Sequence, residues 1–134
     1  MTQNHSDIRT RFIFDDMPIR GMHIRLEKVW HHIVNQKHYP VAIRRALGEL
    51  LAAGALLSAN LKNEGALIVQ VQGQGRLKML VVEATSENTV RATARWDETA
   101  EIRDDESLTA LLGENSVFVL THQPKDADPW QGVV

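Results

Sequence analysis

The stretch that most restricts the fold is 41–61, where Ile43, Leu47, Leu50, Leu51, Leu57 and Leu61 recur at helical spacing. Between them stand Ala42, Ala46, Gly48, Ala52, Ala53, Gly54, Ala55, Ser58 and Ala59. Pro40, whose fixed φ suits a first helical turn, marks where the helix starts. The second half is apolar or small all round, so this helix must be enclosed on most sides, and its small residues imply that another backbone comes close. It belongs at the centre of a fold, and the rest of the chain has to supply the layers around it. The apolar run 50–57 is far shorter than the ~18 residues a membrane span requires.

The flanking segments have the periods such layers need. Residues 8–14 and 19–26 alternate in apolar character across the turn chemistry of Asp15, Asp16, Met17 and Pro18, which predicts two strands. From Glu27 the period becomes helical through Val29, Trp30, Ile33, Val34 and Lys37, and it halts at Pro40, which forces Tyr39 out of the helical region. Beyond the turn at Asn63, Glu64 and Gly65, strands are predicted at 67–72, 76–83 and 90–96, the first two forming a hairpin. The acidic run 97–106 reads as a solvated loop. It precedes a short helix over 107–112 that Gly113 closes. A strand over 116–121 and a turn over 124–129 lead to Trp130, Gln131, Gly132, Val133 and Val134, the opening of an apolar strand. The expected fold is α+β, a mostly antiparallel or mixed β-sheet packed on two consecutive helices, one of them largely buried.

A chain of 134 residues with 43% hydrophobic side chains can bury a core of its own without cross-links. It has no cysteine, which excludes disulfides, thiolate metal sites and cysteine nucleophiles within it. With 15 basic and 17 acidic residues the net charge is −2, which does not favour nucleic acid or an anionic membrane as partner. The opening residues are polar and carry no secretory signal, so the cytoplasm is the expected compartment. Two consecutive β-branched residues at 133 and 134 suggest that the domain is truncated there.

Candidate chemistry is sparse. His31 and His32 are adjacent and point about 100° apart on a helix, and His38 lies past the break, so the histidines lack metal-ligand spacing. Gly73-Gln74-Gly75 is followed by a strand rather than a helix, which favours a hairpin turn with positive φ over a phosphate loop. Arg76, Lys78, Arg91 and Arg95 could share one sheet face, with Trp96 on the other, a weak basis for nucleic-acid binding. No serine sits in a nucleophile elbow, and no nucleophile, base and orienting group can be nominated together. The chain is not expected to be an enzyme.

The alternation itself carries the main functional clue. Ile68, Leu80, Val82, Phe118 and Leu120 fall opposite the principal apolar set, so both sheet faces are partly apolar. Either the chain's own short helix and terminal strands cover the second face, or it is an interaction surface.

The run from Leu47 through Ala53, with Leu56, Leu57, Ser58, Ala59, Leu61, Lys62 and Gly65, resembles the redox-regulated holdase chaperones of the thirty-three-kilodalton heat-shock protein family. Gln70, Gln72, Gly73, Gly75, Val81, Arg91, Ala94, Arg95 and the run 130–134 continue the likeness, as do Asp7, Arg9, Arg11, Phe12, Arg20 and Gly21. Arg76 departs from the family pattern, in which proline is frequent after the glycine turn, and Ala92 stands where glycine is common. The resemblance implies an N-terminal core domain, over 1–134, of an ATP-independent chaperone that binds unfolding proteins and forms homodimers. It also implies one zinc ion held by four C-terminal cysteines whose oxidation exposes apolar surface. This chain has none of those cysteines and needs no cofactor of its own. On this basis Ile68, Leu80, Val82, Phe118 and Leu120 are expected to contact clients or the family's linker. The alternative is a dimerisation or regulatory module whose client surface lies in that linker.

Overall fold

The structure is a computed structural model that describes residues 7–62 and 64–134. His5 and Ser6 of the polar opening, and Asn63 of the expected turn, lie outside the described residues. Strands β1 (Asp7–Ile13) and β2 (Arg20–Leu26) pair antiparallel as a two-stranded sheet. Helices α1 (Glu27–Val34) and α2 (Val41–Ser58) follow. Next come β3 (Gly65–Gln72), β4 (Leu77–Thr85), β5 (Val90–Trp96), α3 (Leu108–Leu112), β6 (Val117–Pro124) and β7 (Trp130–Val133). These five strands form a fully antiparallel sheet in the order β5-β4-β3-β6-β7. The α+β architecture and the element order thus follow the sequence pattern.

Leu26 has no side chain that could cap α1, and the cap comes from β1 instead. The Asp7 carboxylate accepts hydrogen bonds from the backbone N–H groups of Lys28, at 2.8 Å, and Val29, at 3.2 Å. Such a cap stabilises a helix start by about 1 kcal/mol and favours negative charge there, so the first strand is tied to the first helix. At the other break Tyr39 is buried, and its ring lies 5.4 Å from that of Trp96 on β5.

Helix α2 is central, as its composition requires. Ile43, Leu47 and Leu51 are buried with Val71, Leu77, Leu80, Val82, Ala92 and Ala94 of the large sheet, while β2 packs on it as well. Side chains, not a second backbone, make the close approaches. A Cβ on Gly54 would stand 2.9 Å from Val82 Cγ1, and one on Gly48 would stand 3.1 Å from the Trp30 ring.

Two local expectations change. Gly73 and Gly75 do not adopt positive φ; they are glycine because α3 sits against the turn, and a Cβ on Gly73 would lie 2.7 Å from the Leu112 carbonyl oxygen. That carbonyl accepts from the N–H groups of Gln74 and Gly75, fastening the end of α3 to the β3–β4 hairpin. The acidic segment 97–106 is likewise not a free loop. Arg76 Nη1 lies 2.7 Å from the Glu106 carboxylate, which is 11% exposed, and donates to the Glu101 carbonyl at 2.9 Å. Arg45 of α2 donates to the Asp104 carbonyl at 2.9 Å. Ser107 caps α3 by accepting from Ala110 N–H, and Gly113, at φ 84°, closes it as expected.

Candidate functional site

The register of the large sheet decides which side chains share a face. Val69 pairs with Val82 and with Leu120, and Val71 pairs with Leu80 and with Phe118. Directly opposed residues lie on one face, so Leu80, Val82, Phe118 and Leu120 project toward α2 together with Val69 and Val71. Ile68 points to the other face, alongside Glu83 and Thr121. The five residues expected to share a surface therefore do not share one.

The reason is a lack of phase. Met79-Leu80-Val81-Val82 and Val117-Phe118-Val119-Leu120 are unbroken apolar runs, in which alternation cannot say which residue faces inward. Leu80 and Val82 are fully buried beneath α2 and are core residues, out of a client's reach in the folded domain. Phe118 and Leu120 project on the same side but from β6, beyond the strands that α2 covers, and Phe118 is 37% exposed. Ile68 and Val81 are half-buried on the outer face and Val119 beside them is buried; α1 packs at the β5 edge of this sheet.

The β1–β2 hairpin presents a second apolar surface, which the alternation of residues 8–14 and 19–26 does not by itself assign to a face. Arg9 and Arg11 share the inner face with Ile24 and Met22, while Ile8 and Phe12 lie on the outer face opposite Arg25 and Gly21. Arg11 Nη2 donates to the Ala59 carbonyl at 2.7 Å, placing positive charge at the C-terminal end of α2 where the helix dipole favours it. That contact draws the charged side of β1 inward and leaves Ile8 40% and Phe12 45% exposed. Phe14, edge-on to Phe12 at 6.0 Å, together with Met17 and Ile19 extends the apolar surface around the turn.

Among the described residues no group of three or more His, Asp or Glu side chains converges to hold a metal ion. With no cysteine present either, the zinc that the family resemblance implies has no ligand set here. The basic residues do not act together: Arg76 is held by the acidic segment, Arg91 pairs across from Glu83, and Lys37 rather than Lys78 lies over Trp96, 5.9 Å from the ring centroid. Among the described residues the clear departure in acidity is at Asp97, whose carboxyl is held below the usual range. The Thr99 hydroxyl, at 2.6 Å, is the main cause, and the Thr99 N–H, at 3.0 Å, adds to it. This is a local turn, not a catalytic pairing. Among the described residues no helix is long and apolar enough to cross a membrane.

Comparison with known proteins gives these surfaces a context. The family model described as Hsp33 protein matches residues 7–134. The 33 kDa chaperonin of Neisseria meningitidis serogroup A is 81% identical over 98% of this chain, and that of Chromobacterium violaceum is 46% identical over all of it. The chain spans 43% of the first relative and 45% of the second, less than half of either. The crystal structure of the 33 kDa chaperonin from Thermotoga maritima shares the fold with a TM-score of 0.76 at 20% identity, covering 97% of this chain and 45% of that one. From its sequence match and its architecture, the chain belongs to the Hsp33 chaperone family.

Proposed function

We propose that this chain is the client-holding part of an ATP-independent holdase, which binds unfolding proteins in the cytoplasm under oxidative stress. In this reading it is not an enzyme, and its partner is unfolded polypeptide rather than nucleic acid or membrane. The zinc and its cysteines would belong to the further residues that the longer relatives carry. The observation that supports the reading is the outward-facing apolar side of β1–β2, Ile8, Phe12 and Phe14, in a domain without a catalytic grouping among its described residues. Exposed apolar surface of this kind marks an interaction site. Ile68 and the half-buried Val81 on the same outer face would extend client contact.

The test is suppression of light scattering from a thermally unfolding enzyme, without ATP. An Ile8→Ser, Phe14→Ser double variant is expected to lose most of the protection with an unchanged circular dichroism spectrum, and Ile68→Lys to weaken it further. Full protection by these variants would refute the assignment.

One observation favours a second reading, the dimerisation module. A two-stranded sheet is marginal by itself, and among the described residues neither edge of β1–β2 pairs with another strand. Multi-angle light scattering distinguishes the two: a dimer abolished by the hairpin substitutions, with no client protection at any concentration, supports the module.

A further inference from the structure

Two arginines on the inner face of the β1–β2 hairpin stand without a counter-charge. Arg11 pairs with Met22 and Ile13 with Arg20, so Arg11 and Arg20 are diagonal neighbours on one face, their Cβ atoms about 7 Å apart. Beside the C-terminal end of α2 this part of the hairpin borders a groove of about 520 Å³, bounded by Arg11, Arg20 and Asn60 with Phe12, Ile13 and Met22. Among the described residues no carboxylate forms an ion pair with either guanidinium, Asp15 and Asp16 of the adjoining turn included. Residues 1–6 and 63 contain no aspartate or glutamate. Arg11 commits Nη2 to the Ala59 carbonyl and keeps the rest of its guanidinium for another acceptor.

The apolar rim decides which anion fits. Ile13 is 77% exposed, and Phe12, whose ring rests against Gly21, joins the groove to the apolar outer surface of the hairpin. An inorganic anion would satisfy the arginines alone, and the net charge of −2 does not favour a polyanion. A second copy meeting this surface about a two-fold axis would set arginine against arginine. A peptide that carries a carboxylate beside apolar residues meets both sets of groups at once, and Arg–carboxylate contacts are strengthened by their paired N–H donors. We infer that this groove anchors acidic side chains of unfolding clients, selecting segments in which Asp or Glu stands next to apolar residues. The inference rests on the client reading above and names the class of segment chosen. Ile8 and Phe14 supply apolar contact, and Arg11 and Arg20 discriminate among the segments that make it.

Fluorescence anisotropy tests it with a labelled peptide of leucine, serine and glycine that carries paired glutamates, and with the same peptide bearing glutamines in their place. The glutamate peptide is expected to bind about fivefold more tightly at low ionic strength, an advantage that disappears in about 0.5 M salt. Arg20→Gln should bring the ratio below about twofold, and Arg20→Lys should keep part of it. Arg44→Gln, which removes the same charge from the exposed first turn of α2 at the far end of that helix, should leave the ratio unchanged. Equal affinity for the two peptides, with both bound, overturns this inference and leaves the client reading standing; binding of neither overturns both. An equal fall in Arg44→Gln marks net charge rather than a site and also overturns it. So does Arg20-dependent self-association in sedimentation without peptide, which assigns the groove to a second copy.

Discussion

Leu80 and Phe118 are cross-strand neighbours of the same residue, Val71, and project on the same sheet face, yet they should respond very differently to truncation. Leu80 is 0% exposed beneath α2. Its replacement by alanine removes about three methylene equivalents, worth about 2.4 kcal/mol of transfer free energy at about 0.8 kcal/mol each. The surrounding Val71, Val82, Ala94 and Leu47 are held by sheet and helix hydrogen bonds and cannot close the gap, so the cavity raises the loss to about 3–4 kcal/mol. With an unfolding entropy of about 2.1 cal/mol/K per residue, Leu80→Ala should lower Tm by about 10–14 °C. Phe118→Ala, at a side chain 37% exposed with no helix above it, should cost about 1–2 kcal/mol and about 4–7 °C. Thermal denaturation followed by far-ultraviolet circular dichroism, with urea titrations to confirm an unchanged m value, measures both. Equal shifts for the two variants, or a fall below about 3 °C for Leu80→Ala, would refute the face assignment. A consequence for functional work is that lost client protection after charging Leu80 or Val82 would report unfolding rather than a lost contact.

Gly54→Ala should destabilise by about 1–2 kcal/mol in urea titrations, although alanine is the better helix former by about 1 kcal/mol, because the new methyl meets Val82 Cγ1 at 2.9 Å. Arg76→Ala frees the acidic segment, which Arg76 holds through the Glu106 carboxylate and the Glu101 carbonyl; tryptic cleavage after the exposed Arg103 should quicken several-fold, with a loss of about 1–3 kcal/mol in stability. For Asp97, the folded acidity constant lies below the ordinary 3.8, so its stabilising contribution is complete above that value and is lost as pH falls through the folded one. A carboxyl-detected NMR titration should show the Asp97 midpoint returning toward the ordinary value in Thr99→Val, where the main hydrogen bond is gone.

The element pattern was legible because it rests on local causes. Pro40 separates α1 from α2 whatever surrounds it, the small and apolar composition of 41–61 requires enclosure, and strands with clear alternation such as β5 were placed at their full extent. The family likeness rests on residues of those same elements. The candidate surface was less legible. Four apolar residues in a row satisfy either phase of a strand, and only the cross-strand pairing with Val69 and Val71, with α2 laid over β3 to β5, sends Leu80 and Val82 into the core and leaves Phe118 at its margin. The outward turn of Ile8 and Phe12 was hidden for a related reason, since a contact 48 residues away, from Arg11 to Ala59, selects which side of β1 faces the protein.

The amino-acid sequence alone determined that this chain has a buried small-residue helix between sheet-forming segments, contains no thiol chemistry and carries the pattern of a chaperone family, because period, turn residues and composition act over a few positions. Which apolar side chains are core and which are surface was decided by tertiary structure. A strand's two faces are equivalent until a helix covers one of them, and α2 covers only three of the five strands.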